Sequence, residues 1–96
     1  MNKYVALLSI GTITQMSEQE SEALVKQHVE NLRKWKADGV LVMCGLLGNS
    51  GAMLILNAGS SKDAENCLLS DQLIRDNYTL VIHEFIEANE GNNYLL

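Results

Sequence analysis

The feature that most constrains this chain is one long amphipathic stretch, Glu18 to Asp38. It predicts the longest helix of the molecule. Ser17 precedes it with Glu20 three residues on, a pairing that satisfies orphan backbone donors at a helix start. Gly39 follows, where a residue tolerant of positive φ ends a helix. Leu24, Val25, Val29, Leu32 and Trp35 recur at helical spacing and fill one arc, with Glu18, Glu22, Lys26, Glu30 and Lys34 largely outside it. His28 falls inside the apolar arc, between Leu24 and Leu32. An imidazole is therefore expected against the protein rather than in water.

The rest of the chain supplies what that helix must cover. Lys3 to Ile10 reads as a first strand, followed by a loop from Gly11 to Met16. Val40 to Leu47 and Ala52 to Ala58 read as a hairpin around the turn Gly48-Asn49-Ser50-Gly51. Ser60, with Asp63 three residues on, can cap a second helix from Ser61 to about Leu69, whose apolar face is Ala64, Cys67 and Leu68. Ser70-Asp71 ends it, and a further turn through Leu73 and Ile74 leads to Asn77. Tyr78 to Glu87 is the last strand, and Ala88 to Asn93 is polar. The order βαββαβ predicts an α+β, ferredoxin-like domain: a four-stranded antiparallel sheet with both helices on one face. Residues 1–96 read as this single domain.

Strict alternation would place Val40, Val42, Cys44 and Leu46 on one side of the second strand and Leu41, Met43, Gly45 and Leu47 on the other. The third strand sets Leu54 and Leu56 against Met53 and Ile55, and the first sets Ala6 and Leu8 against Val5 and Leu7. A sheet wetted on one side alternates apolar with polar; this one is apolar on both. Two helices cover one face, so the other is expected to meet a second copy by two-fold symmetry. Tyr94, Leu95 and Leu96 read either as a frayed tail or as a segment lying on that neighbour.

Charge and cysteine usage exclude several classes. The net charge is −5 and the seven Lys and Arg are dispersed, which argues against a nucleic-acid partner. No apolar run reaches the length of a membrane span. Lys3 followed by Tyr4 to Ile10 superficially matches a leader, but no small-residue cleavage motif follows, and the run is read as a strand. Cys44 and Cys67 have neither CxxC spacing nor a histidine at ligand spacing, so they read as two thiols in a reducing cytoplasm, with no metal or cofactor expected.

Several short motifs stand in a fixed order: His28, Leu32 and Gly39; Cys44-Gly45 closing the second strand, with Leu46 next; Ala58, Gly59 and Ser60 before the second helix; Asp63-Ala64; and Asp71 after that helix, followed by Gln72. Taken together they resemble the YCII-like family, small proteins of the dimeric α+β barrel group, over roughly Tyr4 to Phe85. The family's prolines are replaced by Leu46 and Gln72. The resemblance implies a His–Asp pair, here His28 and Asp71, as active site, and kinship with small isomerases and lyases such as muconolactone isomerase.

Element lengths independently bring those two residues level. His28 lies ten residues before Asp38, about 15 Å along a helix axis. A second helix of nine or ten residues running antiparallel from the same end of the sheet also spans about 15 Å. Asp71 would then fix the imidazole tautomer for general acid or base work on a small enolisable or phenolic substrate. Cys44, Gly45 and Leu46 are candidates for the substrate-binding wall. On the residues alone, a core histidine with one hydrogen bond, and an aspartate that merely caps the turn after it, stay open. His83 reads as a solvated or interface residue. The function read here is acid/base proton transfer of lyase or isomerase type; the alternative is a non-catalytic dimeric module binding a small ligand or a protein.

Overall fold

The computed structural model describes residues 2–11 and 16–92, so the expectation for Tyr94, Leu95 and Leu96 lies outside the described residues. The order is β1 (Asn2–Ile10), α1 (Glu18–Ala37), β2 (Leu41–Leu46), β3 (Gly51–Ala58), α2 (Ser61–Leu69), α3 (Gln72–Asn77) and β4 (Tyr78–Phe85), followed by a 3-10 turn at Glu90–Asn92. The strands form one antiparallel sheet ordered β2-β3-β1-β4. This is the ferredoxin-like arrangement predicted from the element order. The expected turn after α2 is itself a short helix, α3, and β4 stops two residues before Glu87.

The helix ends follow the capping chemistry. Ser17 Oγ accepts from Glu20 N–H at 3.1 Å, and Ser60 Oγ accepts from Asp63 N–H at 3.1 Å. Gly39 takes φ +78° just beyond α1. The core lies between helices and sheet: Tyr4, Ala6, Leu8, Leu54 and Leu56 meet Trp35, Ala64, Leu68 and Ile74. Trp35 is the one buried residue of α1, while Val25 and Val29 are exposed. The C-terminal half of α1 packs on the sheet. Its first half faces α3 across a cleft lined by Glu20, Leu24 and Gln27 on one side and Gln72 and Asp76 on the other. The apolar arc is thus wider than the surface that receives it.

Strand β2 departs from strict alternation. Leu41 pairs with Leu56 but Met43 pairs with Ile55, so Val42 is an extra residue in a β-bulge. Lys36 Nζ donates to the Val42 carbonyl there. The bulge turns Leu41, not Val42, toward the helices. Beyond it Cys44 pairs with Leu54 and Leu46 with Ala52, also on the helix side. Met43 shares the opposite face with Ile55, Val5 and His83. That face carries Met53, Leu7, Val81 and Phe85 as well, and Met43, Val81 and Phe85 are exposed. It is the second apolar surface anticipated from the strand pattern.

Gly51 opens β3 at φ +148°, and a Cβ there would overlap the Leu8 carbonyl oxygen of the neighbouring strand. Gly51→Ala is therefore expected to lower unfolding free energy by roughly 2 kcal/mol or more, read from urea denaturation. Gly48→Ala serves as comparison: it also has positive φ, but nothing lies within 4 Å of its added Cβ, so it is expected to cost only about 1 kcal/mol.

Candidate functional site

Asp71 is the buried charged side chain among the described residues, about 1% exposed. It sits at the N-cap of α3, directly after α2, because Ser70 ends that helix and Asp71 takes extended backbone. Its Oδ1 accepts from Ile74 N–H at 3.0 Å, a cap inside the protein. Its Oδ2 is turned toward α1. There His28 Nδ1 lies at 2.9 Å and Asn31 Nδ2 donates at 3.0 Å. His28 and Asn31 stand three residues apart, so one helical face presents both. Gln27, one turn before Asn31, donates Nε2–H to Asn31 Oδ1 at 3.0 Å and orients that amide.

Burial alone would raise the Asp71 pKa, but the Asn31 amide, the Ile74 backbone N–H and His28 outweigh it, and the net direction is below the ordinary carboxylate value. An ionised carboxylate only accepts hydrogen bonds. Nδ1 of His28 therefore carries the proton in this pair, and in the neutral ring Nε2 is an open lone pair. Nε2 makes no hydrogen bond with a described residue.

His28 is about 22% exposed in its side chain. It lines a cavity of about 230 Å³ between α1 and the sheet, with Leu32 beside it, Leu8, Ala52 and Leu54 below, and Cys44, Gly45 and Leu46 from edge strand β2. Asp71 is not part of that wall; it stands behind the ring. The five candidate site residues thus fall together: His28 and Asp71 in contact, and Cys44, Gly45 and Leu46 in the cavity wall with His28. Cys44 pairs with Leu54 and shares its face of the sheet. Gly45 leaves the strand backbone open, since nothing lies within 4 Å of where its Cβ would be. Leu46 is about 83% exposed and stands at the rim. Cys67 is elsewhere, on α2, and burial pushes its thiol pKa up.

Asn31 and Gln27 were not singled out from the sequence. Their signal was their spacing: Asn31 stands one turn beyond His28, and Gln27 one turn before Asn31. Among the described residues no cluster of three or more His, Cys, Asp or Glu is placed to hold a metal ion, and no helix is long and apolar enough to cross a membrane. Compared with models of protein families and with curated proteins, the chain matches none.

Because Asp71 is held below its unfolded value near 3.9, its contribution to stability is complete above that value. It disappears as pH falls through the lower, folded-state value. Urea unfolding between about pH 5 and pH 2 should therefore show a loss on acidification that Asp71→Asn lacks. At neutral pH Asp71→Ala leaves three donors without their acceptor and removes a cap, and is expected to cost about 2–4 kcal/mol. Asp71→Asn, which keeps an oxygen for Ile74 N–H, is expected to cost less in the same assay.

Proposed function

We propose that the chain is a YCII-like protein that performs acid/base proton transfer with His28 and Asp71 on a small organic substrate, as a lyase or an isomerase. The observation that carries this reading is that one imidazole meets both features: its Nδ1 is held by a buried carboxylate, and His28 lines a cavity large enough for a small ring, which leaves Nε2 for a substrate. In this reading Nε2 takes a proton from a carbon next to a carbonyl, or from a phenolic hydroxyl. Asp71 stabilises the imidazolium that forms. Returning the proton at another carbon gives an isomerisation; expelling a leaving group from the enolate gives an elimination. Cys44, Gly45 and Leu46 hold the substrate against the ring. A core histidine sealed in hydrocarbon would have no such cavity beside it.

The same proposal includes a homodimer with the open sheet faces packed together. Its support is the apolar row Met43, Ile55 and Val5 and the exposed Val81 and Phe85, none of which a helix covers. The chain should sediment as a dimer at micromolar concentration. Ile55→Asp, on the open face, should shift it to monomer without loss of helical signal; a native monomer would overturn the dimer.

For the chemistry, His28→Gln is the decisive variant. Once a turned-over compound is found, the variant should lose about 100-fold or more in kcat, with oligomeric state and thermal unfolding little changed. Turnover at the native rate would remove His28 from the reaction.

A further inference from the structure

The wall of the His28 cavity also constrains what can enter it. We infer that the cavity selects compact, uncharged molecules carrying one carbonyl or hydroxyl oxygen, and rejects carboxylates and phosphates of the same size. The inference names the substrate class for the proton-transfer reading and rests on that reading for the word substrate; the selectivity itself is a statement about binding.

The discrimination is electrostatic. Leu8, Leu32, Leu46, Ala52 and Leu54 make most of the wall, and Cys44 adds a thiol. Among the described residues no lysine or arginine lines it. Arg33 and Lys36 belong to the adjoining groove along α1 and β2, outside this wall. The segments 12–15 and 93–96 contain no lysine or arginine either, so neither can bring one. The one side chain in the wall able to carry positive charge is His28, and Asp71 at 2.9 Å already balances it. An anion in the cavity would lose part of its water and gain no uncompensated cation, which weakens its binding relative to a neutral molecule of the same size. The −5 charge of the chain adds a long-range repulsion of the same sign. A neutral carbonyl or phenol loses far less on entry. A phenolic O–H can donate to Nε2, and a ketone can present its acidic C–H there. For scale, a dry apolar cavity of about 150 Å³ holds benzene, so about 230 Å³ accommodates a ring with a short substituent.

Acetophenone and benzoate make the test. They have the same ring and the same number of non-hydrogen atoms, but only one is charged at pH 7. Titrated into the native, full-length protein and followed by amide and histidine NMR, acetophenone should shift Cys44, Gly45, Ala52, Leu54 and His28. It should bind at least about tenfold more tightly than benzoate. Ala52→Leu, which fills the cavity, should abolish those shifts. Leu46→Arg, which brings a cation to the rim, should narrow the difference by raising benzoate affinity. Benzoate binding as tightly as acetophenone to the native protein would overturn the inference, as would acetophenone shifts that survive Ala52→Leu or no binding of acetophenone at all. Acetophenone that binds as expected while His28 exchanges no proton with it, read as no deuterium uptake at its methyl group from heavy water, would count against the catalytic reading and leave the selectivity standing.

Discussion

The structure turns on a carboxylate that water does not reach. Asp71 has lost its hydration, and an ionised carboxylate in that position is tolerable only with donors on both oxygens. It finds three. One comes from the backbone of the helix it opens, and two come from a single face of α1. The interaction therefore ties the short helices that follow β3 to the long helix that follows β1. At the N-terminal half of α1 the side chains facing α3 border an open cleft. Polar bonds to one buried group do there what apolar packing does at Trp35.

That arrangement follows from lengths. A four-stranded βαββαβ sheet makes the two long crossovers antiparallel to each other. The distance from His28 to the C-terminal end of α1 is then matched by the whole of α2, and Asp71 is the first residue past α2 able to turn inward. Because the match depends on residue counts, the meeting of His28 and Asp71 was legible in the sequence, as were the helix caps at Ser17 and Ser60 and the order of the strands. The apolar character of both sheet faces was also legible, since it needs only alternation on β1 and β3, where the register is regular.

What was not legible depended on events that leave no period in the sequence. The bulge at Val42 is an insertion of one residue into a uniformly apolar strand. Because every neighbour is apolar, no polar residue marks where the alternation slips. Its effect is to bring Leu41 inward in place of Val42. The exposure of Val25 and Val29 was hidden for a related reason. A helical arc records which residues could be buried, but the receiving surface ends where the sheet ends, and only the tertiary structure sets that limit. Asn31 was overlooked because an amide on a helix flank has no meaning until a carboxylate from another element arrives opposite it.

Asp71 also illustrates why the structural and the chemical readings of this site do not compete. Its two oxygens face different ways. Oδ1 closes the first turn of α3 and would be needed if the protein had no activity at all; Oδ2 serves His28 and Asn31. Capping explains why an acidic or amide residue stands here, yet it would be served equally well by serine, threonine or asparagine. It does not explain a second oxygen directed at an imidazole that also lines a cavity. Nor does burial favour it, since a charge sealed from water is the costlier way to build a cap. The excess of that arrangement over what a cap requires is the physical ground for reading His28 and Asp71 as a working pair. It also means that changes at Asp71 mix folding with chemistry more than changes at His28, which is partly exposed, lies outside the cap and leaves the Asn31 donor on Oδ2.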